Sequence, residues 1–333
     1  MMHCVRCHFR LSHHKRTVWI PPLLCVVAFV IYFNYFCPDY SNPVEVVEEF
    51  DNHVCMCGFC KPSKLKTPWF AKRFNASVQP LLASKDQVIP AHVLKWWLSL
   101  QGKNNASDIP GILGQMFKVI PNGNPYEEVY NRPCRTCAVV GNSGNLKGSR
   151  HGKKIDSHKL IIRMNRALTS GFEEDVGFRT THHFMYPESA MHISKGVHLV
   201  LVPFKLQDLR WITSALSTGE IKFTYTRVKQ YIQADKDKVL IFNPAFFKYI
   251  HDNWTNHHGR YPSTGMLAVF FALHICDDIS VFGFGADRNG NWHHYWEKNK
   301  FPGAFRWTGV HNAEFESELL SMLAKEGRLK FYK

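Results

Sequence analysis

With 333 residues, the chain is long enough for one large α/β domain or two smaller ones, and its 45% hydrophobic content is ordinary for a folded core. Its formal net charge of +14 predicts an anionic partner: a nucleic acid, an acidic membrane surface or an acidic small molecule. Charge alone does not choose among these three, but the N-terminus does, because it indicates the compartment.

Residues 17–37 form an apolar run without a charged side chain. Its 21 residues make roughly 32 Å of helix at about 1.5 Å per residue, enough to cross the hydrocarbon core of a bilayer. Basic residues precede the run and acidic residues follow it, so the positive-inside rule places residues 1–16 in the cytosol and the chain from residue 38 onward in the secretory lumen. The alternative is a cleaved signal peptide, but the run is long for one and no small-residue cleavage site follows. We therefore predict a signal anchor, and a lumenal body excludes most nucleic-acid functions.

The secretory lumen is oxidising, so cysteines beyond the anchor are expected to pair. There are six of them: Cys55, Cys57, Cys60, Cys134, Cys137 and Cys276. Their two C-x-x-C spacings also fit a four-thiolate zinc site or redox motifs, but the compartment favours structural disulfides, whose pairing the spacing leaves open. N-glycosylation sequons at Asn75, Asn105 and Asn253 fit the same compartment.

Beyond the anchor, residues 38–54 are acidic and contain proline, which is typical of a short stem, and we expect one lumenal domain over residues 55–333. Residues 91–101 have an amphipathic helical pattern. Residues 102–133 are rich in Gly, Asn and Pro and are expected to be irregular.

From residue 134 onward, short apolar runs alternate with helical stretches such as Met266 to His274. The runs lie at residues 138–140, 160–164, 197–202, 239–242 and 279–283. This alternation predicts an α/β fold with a single, doubly wound, mostly parallel sheet. Ligands of such sheets bind at the carboxyl ends of the strands, where the strand order reverses.

Two turns are candidate anion-binding sites. Residues 141–145 (GNSGN) follow a strand, and glycines there would let the backbone approach a ligand while a following helix offers its N–H groups. A plain strand-to-helix turn explains this pattern equally well, because it is neither a dinucleotide fingerprint nor a Walker loop. Ser263 or Thr264 is a natural N-cap of the next apolar helix, whose end could also hold a phosphate.

Histidines supply the remaining candidates, at residues 292–297 (WHHYWE) and at His311 ahead of Glu314 and Glu316. Paired histidines suggest zinc, but no third ligand accompanies them at a suitable spacing. We therefore predict no metal site.

Four stretches together resemble the sialyl motifs of the animal sialyltransferases. Residues 134–181 resemble the large motif, residues 262–285 the small motif and residues 294–297 (HYWE) the third, while His311 with Glu316 fits the very small His-x4-Glu motif. All four occur in family order. Phrases such as VGNSGNL, HGRYPSTG and GNWHHYWE are most similar to the group that makes α2,3 linkages to Galβ1-3GalNAc.

The resemblance implies a single-pass type II Golgi membrane protein with a Rossmann-like, metal-independent variant of the nucleotide-sugar transferase fold. The implied reaction is an inverting transfer of sialic acid from CMP-sialic acid to the 3-hydroxyl of a terminal galactose, in O-glycans or glycolipids. The implied partners are this donor and galactose-terminated acceptors, with no cofactor.

The resemblance also implies roles for single residues. Contacts to CMP-sialic acid are implied for Asn142, Ser143, Asn145, Asn165, Ser263, Thr264, Gly265 and His294. Contacts to the acceptor are implied for Gln101, Tyr225 and Tyr261. His311 is the implied catalytic base, and His294 the catalytic histidine that binds the phosphate. The implied disulfides are Cys137–Cys276, Cys57–Cys134 and Cys55–Cys60.

These residue types suit the chemistry, which must stabilise charge on a departing phosphate and remove a proton from a sugar hydroxyl. Many nucleotide-sugar transferases stabilise the phosphate with a metal held by Asp-x-Asp, but Asp235-Lys-Asp237 lies among lysines and is typical of a solvated turn. His294 with backbone N–H groups can stabilise the phosphate instead. His311 is a natural base because histidine changes its charge near neutral pH.

Three other functions remain open at this point. One is a metal-dependent UDP-sugar transferase that uses Asp235 and Asp237. The others are a membrane-anchored sialoglycan-binding protein without catalysis and a basic adaptor for acidic glycans. The presence of both His294 and His311 argues against these last two, because binding alone needs no histidine base.

Overall fold

The computed structural model describes residues 67–101, 109–121, 123–126, 134–287, 289–297 and 310–333. The predicted cytosolic tail, membrane anchor and stem lie outside these residues, as do Cys55, Cys57, Cys60 and the sequon at Asn105. Within the described ranges, no helix combines the length and the apolar character that spanning a membrane requires.

Among the described residues, eight strands form one sheet in the order β1-β6-β5-β4-β3-β2-β7-β8. Its strands are β1 (Leu81–Leu82), β2 (Thr136–Val140), β3 (Leu160–Met164), β4 (His182–Met185), β5 (His198–Leu201), β6 (Val239–Phe242), β7 (Asp278–Phe282) and β8 (Lys330–Tyr332). Every pairing is parallel except that of β1 with β6. The chain runs outward from β2 to β6 and then crosses to β7, so the order reverses between β2 and β7. The predicted single, mostly parallel sheet is confirmed.

Helices cover both faces of this sheet. They are α1 (Pro68–Ala71), α2 (Ala91–Ser99), α3 (Ile109–Val119), α4 (Gly152–Asp156), α5 (Glu173–Val176), α6 (Leu206–Ala215), α7 (Pro244–Asn253), α8 (Thr264–Ile275) and α9 (Ala313–Lys325). A hydrophobic core lies on each face of the sheet, and alternate residues of β2 point into different cores. Cys137 and Val139 pack with α8 in one core, whereas Ala138 and Val140 pack with Ile155 of α4 in the other.

Helix α3 corrects the prediction that residues 102–133 are wholly irregular. Its buried Ile112, Leu113 and Met116 share one face, which packs against α6. Pro110 lies in its first turn, where a missing N–H costs least. Packing of that apolar face therefore outweighs the weak helix propensity of the glycines and the proline.

Strand β4 is a second element that the apolar runs did not indicate, because it begins with His182 and His183. His182 lies beside His198 of β5 in the sheet register, and the two rings stack with centroids 4.7 Å apart. Burial lowers the pKa of His182 to about 3, so the ring is neutral and can occupy a buried strand.

The disulfide between Cys137 and Cys276 is present, as the resemblance implied, with Cα atoms 6.1 Å apart. It joins β2 to the segment between α8 and β7. Cys134 is also disulfide-bonded, and its predicted partner, Cys57, lies outside the described residues. The sequon residues Asn75 and Asn253 are both exposed.

Candidate active site

A cavity of about 320 Å³ lies where the strand order reverses. Its walls include the residues that directly follow β2, β3, β4 and β7, together with the N-terminal ends of α8 and α9. This is the position that the fold class predicts for a ligand. It brings together nearly all of the predicted site residues: Gln101, Asn142, Ser143, Asn165, Tyr225, Tyr261, Ser263, Thr264, Gly265, His294 and His311.

The glycine turn after β2 lines the cavity through Gly141 and also packs closely against neighbouring protein segments. A Cβ atom on Gly141 would lie 2.3 Å from the carbonyl oxygen of Gly283, and one on Gly144 would lie 2.5 Å from Nε2 of His293. Asn145 does not line the cavity, and its side-chain amide donates to the carbonyl of Phe284 at 2.9 Å. The glycines thus allow the segments after β2 and β7 to meet.

Two asparagine oxygens in this wall have no hydrogen-bond partner within the described part of the chain: Oδ1 of Asn142 and Oδ1 of Asn165. The Asn142 amide nitrogen donates to the carbonyl of Met164 at 3.0 Å, which fixes the orientation of its side chain. Because buried polar atoms are normally paired, these two acceptors indicate a ligand that donates hydrogen bonds.

Asn165 is held in an unusual backbone conformation directly after β3. Its φ of +57° lies in the left-handed region, which asparagine tolerates better than most residues. The buried ring of His183 donates from Nε2 to the Asn165 carbonyl at 2.6 Å, and burial lowers the pKa of His183 to about 4. The turn at Asn165 is therefore held by a hydrogen bond from a buried, neutral histidine.

The segment that carries His294 is attached to the glycine turn by backbone contacts. Residues Ser143 and His294 form an antiparallel bridge, the Gly144 N–H donates to the His293 carbonyl at 2.7 Å, and the Tyr295 N–H donates to the Asn142 carbonyl at 3.1 Å. The predicted large and third motifs, about 150 residues apart in sequence, are thus one structural unit.

The His294 ring is oriented by its own segment. Its Nδ1 hydrogen-bonds Oε2 of Glu297 at 2.8 Å, and the ring stacks on Trp296 with centroids 4.7 Å apart. The hydrogen bond with His294 lowers the pKa of Glu297, which keeps that carboxylate charged. An imidazole ring held in this way can donate a hydrogen bond to an anionic group in the cavity.

The N-terminal end of α8 is capped by Ser263 and held by Glu316 from α9. The Ser263 hydroxyl accepts from the Met266 N–H at 3.1 Å and donates to Oε2 of Glu316 at 2.6 Å. The Ser263 N–H donates to Oε1 of the same carboxylate at 2.7 Å. Burial raises the pKa of Glu316. The glutamate of the His-x4-Glu motif therefore joins α9 to α8, a role that its spacing does not reveal.

His311 lies two residues before α9, close to the predicted helix N-terminus. Its Nδ1 donates to the Tyr261 carbonyl at 2.8 Å, so a neutral ring carries its lone pair on Nε2. Asn312 caps α9 by accepting from the Phe315 N–H at 3.0 Å, which fixes the chain next to His311. This is the arrangement that a general base requires: one ring nitrogen is oriented and the other can take a proton.

The predicted acceptor residues come from three distant segments. The amide nitrogen of Gln101 donates to the hydroxyl of Tyr261 at 3.2 Å, and the Tyr261 ring lies 5.2 Å from the His311 ring between centroids. Tyr225 is 63% exposed and also lines the cavity. These side chains lie on the same side of the cavity as the candidate base.

Comparison with known proteins identifies the family. The sequence model of glycosyltransferase family 29, described as sialyltransferase, matches residues 81–328. This chain belongs to glycosyltransferase family 29. The predicted family and enzyme class, a sialyltransferase, are therefore confirmed.

Two curated relatives and one solved structure illustrate the similarity. The chain is 53% identical over 279 residues to the Mus musculus CMP-N-acetylneuraminate-beta-galactosamide-alpha-2,3-sialyltransferase 2, a match that covers 84% of this chain and 80% of the relative. It is 43% identical over 336 residues to the Homo sapiens CMP-N-acetylneuraminate-beta-galactosamide-alpha-2,3-sialyltransferase 1, a match that covers 96% of this chain and 98% of the relative. A crystal structure of a mammalian sialyltransferase in complex with Gal-beta-1-3GalNAc-ortho-nitrophenol matches with a TM-score of 0.77 and 47% identity, and the match covers 84% of this chain and 99% of that one.

Several residues of this family 29 site have no role assigned from the sequence, although Phe284 and Trp292 lie within the matched phrases. Tyr186, Phe204, Phe284 and Trp292 add aromatic surface to the cavity. Burial raises the pKa of Tyr186 to about 12, so its phenol remains a hydrogen-bond donor. Tyr186 and Phe204 follow β4 and β5 closely, so the rule that strand ends form the site could have indicated them.

Asp235 and Asp237 lie elsewhere, and neither lines the cavity. Asp235 caps a short 3-10 helix (Lys236–Lys238) by accepting from the Asp237 N–H at 3.2 Å. They form the solvated turn that the neighbouring lysines indicated. Among the described residues, no group of three or more His, Cys, Asp or Glu side chains is arranged to hold a metal ion.

Proposed function

We propose that this chain transfers sialic acid from CMP-sialic acid to the 3-hydroxyl of a terminal galactose, with Galβ1-3GalNAc in glycoproteins or glycolipids as the acceptor. The names of the two curated relatives and the disaccharide bound to the structural relative support this substrate pair. The observation that carries the mechanism is His311, which is oriented through Nδ1 by the Tyr261 carbonyl in a cavity that His294 also lines.

In the proposed reaction the galactose 3-oxygen attacks the anomeric carbon of sialic acid while its proton passes to Nε2 of His311. The bond from the anomeric carbon to the phosphate oxygen breaks, and CMP leaves with the bonding electron pair. Attack opposite to the leaving group inverts the anomeric configuration. His294 and nearby backbone N–H groups stabilise the negative charge that grows on the phosphate.

The side-chain oxygens of Asn142 and Asn165, which lack a partner in the described part of the chain, suit the donor, because a cytidine and its ribose present N–H and O–H groups. Ser263 has a different part in this proposal. Its hydroxyl already bonds Glu316 and the Met266 N–H, so we assign it to holding the α8 end in place beside Thr264 and Gly265. No metal takes part in the proposed steps.

The decisive experiment incubates the full-length protein in detergent with CMP-sialic acid, a Galβ1-3GalNAc acceptor and EDTA. We expect a sialylated trisaccharide whose linkage to the galactose 3-position is established by NMR. Binding of sialoglycans without product would favour the non-catalytic alternative. Transfer from a UDP-sugar that requires manganese would favour the other enzyme class.

We also propose that the protein is a single-pass type II protein of the Golgi with its catalytic domain in the lumen. The apolar run at residues 17–37 and the charge bias around it support this. Protease protection of the domain in sealed microsomes tests the orientation. Digestion of residues 55–333 from the outside would contradict it.

A further inference from the structure

A buried cluster of charges lies behind the acceptor residues. Nζ of Lys205 is 3.0 Å from Oε1 of Glu188 and 2.8 Å from Oδ1 of Asp208. Lys205 is 4% exposed and Asp208 is fully buried. Taking such charges out of water is costly, and a buried ion pair contributes little net stability compared with apolar side chains of similar size. Net stabilisation of the fold therefore does not explain why these charged side chains are buried here.

Lys205 fixes the orientation of Gln101. An ammonium group has N–H donors and no acceptor, and Nζ of Lys205 donates to Glu188 and, at 3.2 Å, to Oε1 of Gln101, while it lies 2.8 Å from Asp208 as an ion pair. The Gln101 carbonyl oxygen must face Lys205, so its amide nitrogen faces Tyr261, to whose hydroxyl it donates. Tyr261 also contacts the candidate base, because its backbone carbonyl bonds Nδ1 of His311 and its ring lies 5.2 Å from the His311 ring between centroids.

Glu188 and Lys205 also hold Tyr225. The segment around Tyr225 is a tight hairpin in which Phe223 pairs with Arg227 and the Val228 N–H donates to the Lys222 carbonyl at 3.0 Å. The hydroxyl of Thr224, at its tip, donates to Oε1 of Glu188. Nζ of Lys205 lies 5.1 Å from the centroid of the Tyr225 ring, within the range of a cation–π contact.

The two carboxylates have different parts. Asp208 belongs to α6 and accepts from the N–H groups of Phe204 at 2.8 Å and Lys205 at 3.2 Å, so it caps the helix on which it lies. Glu188 lies on another segment, after β4, and is the one that reaches the hairpin. Loss of Asp208 would disturb α6 itself, whereas loss of Glu188 would mainly release the hairpin and Lys205.

We propose that the Lys205–Glu188 ion pair is a positioning device for the acceptor: it sets Gln101 and the hairpin that carries Tyr225 in the geometry that the galactose-terminated acceptor requires. The identity of the acceptor rests on the function proposed above. Pre-ordering two side chains from distant segments lowers the entropy cost of binding, and this effect is confined to the ligand that they touch. Among the described residues, the hydrogen bonds and ion pairs of Lys205 and Glu188 do not include the glycine turn or His294, so we expect donor binding to be unaffected.

The test is Glu188→Ala, with Glu220→Ala as the matched control. Glu220 is exposed, lies between α6 and the hairpin, and undergoes the same chemical change. We expect Glu188→Ala to raise the acceptor KM roughly tenfold, as for the loss of a hydrogen bond between charged groups. The donor KM and the calorimetric affinity for CMP should stay unchanged, and Glu220→Ala should match the wild type.

A second variant, Thr224→Val, removes only the hairpin hydroxyl and should raise the acceptor KM by a smaller factor. It keeps the proposal testable if Glu188→Ala does not fold.

Hydrogen exchange supplies a readout that needs no substrate. In Glu188→Ala and Thr224→Val, the amides of residues 222–228 should exchange faster, whereas those of α8 should not. Unchanged exchange in the hairpin, an unchanged acceptor KM or a parallel loss of CMP affinity would each overturn the proposal. A wild-type protein that transfers no sialic acid would instead contradict the proposed function, because the exchange result is independent of turnover.

Discussion

The two sides of the cavity are built differently. We call residues 141–145, 283–285 and 292–295 the donor side, and Gln101, Tyr225 and Tyr261 the acceptor side. On the donor side, backbone segments meet through glycines and main-chain hydrogen bonds, such as Gly144 N–H to the His293 carbonyl at 2.7 Å. On the acceptor side, side chains from segments as far as 160 residues apart hold one another.

This difference has a consequence for specificity. A side made of closely packed backbone leaves no room for new side-chain atoms, so most substitutions there disturb the fold as well as the ligand. A side made of side chains on separate segments can change one contact at a time. We therefore expect the donor to be a fixed property of this scaffold and the acceptor an adjustable one.

The largest effect is expected for His311→Ala, at the residue that lies next to Tyr261 of the acceptor side. If His311 takes the galactose proton, its loss should lower kcat by ~10²–10⁴-fold. CMP affinity should remain close to wild type, because the glycine turn is untouched. Steady-state rates with calorimetric CMP titration measure both, and His92→Ala, at an exposed position on α2, is the control. A folded His311→Ala protein with near wild-type kcat would exclude His311 as the base.

The Cys137–Cys276 disulfide tests how far the donor side depends on the β2–β7 pair. It closes a loop with a sequence separation of 139 residues, so Cys276→Ala should cost roughly 4–5 kcal/mol of unfolding free energy in the chain-entropy model. Urea denaturation measures this loss, and the wild type under reducing conditions is the control. Non-reducing peptide mapping of the wild type should recover the linked peptides, and two free thiols there would contradict the assignment.

His294→Ala sharpens the comparison from the donor side. If His294 stabilises the departing phosphate, the variant should lose kcat and also bind CMP ~10- to 100-fold more weakly, as expected for a lost charge-assisted hydrogen bond. This pattern differs from that of His311→Ala, which should spare CMP binding. The two titrations belong in one experiment under the same buffer and salt conditions. Unchanged CMP affinity in His294→Ala would contradict its phosphate role.

A pair of glycine substitutions tests the backbone character of the donor side directly. Gly141→Ala places a methyl group 2.3 Å from the Gly283 carbonyl oxygen, a backbone atom that cannot move alone, and should cost about 1–3 kcal/mol of stability. Gly114 of α3 has open space around its Cβ position, so Gly114→Ala should be neutral or stabilising by about 0.5–1 kcal/mol. Thermal unfolding of both variants suffices. Equal stability of the two would show that the segments after β2 and β7 do not meet as closely as described.

The sequence predicts the donor side better than the acceptor side, for physical reasons. Strands β2, β3 and β7 are mostly apolar, and their ends carry the motif residues, so the hydrophobic pattern and the position of the motifs agree. Tyr225 and Gln101 lie outside any motif, and Lys205 and Glu188 are ordinary surface residue types in a sequence. Their burial together is a product of the tertiary fold, which no local pattern encodes.

Local patterns also gave the right residues for an incomplete reason. The glycine pattern at 141 and 144 predicts close approach of a ligand, but the two glycines also accommodate the Gly283 carbonyl and the His293 ring. A glycine in a sequence can indicate that another group lies close to the backbone, but it does not show whether that group belongs to a ligand or to the protein. Glu316 is similar, because the four residues that separate it from His311 cannot reveal that its carboxylate bonds Ser263 at the start of another helix.

The smallest effect, none at all, is expected from removing Asp235 and Asp237 as carboxylates. A metal-dependent transferase needs its Asp-x-Asp beside the donor phosphates, but neither residue lines the cavity, and Asp235 instead caps the 3-10 helix at Lys236–Lys238. Asparagine caps helices as well as aspartate, so the double variant Asp235→Asn with Asp237→Asn should keep both its fold and its turnover.

Chelation with EDTA should likewise leave the rate unchanged, because His294 and backbone N–H groups stabilise the leaving phosphate in the proposed mechanism. The rates of wild type and double variant, each with and without EDTA, settle the matter. Turnover that EDTA abolishes and manganese restores, together with an inactive but folded double variant, would place a metal on the donor side and overturn the role given to His294.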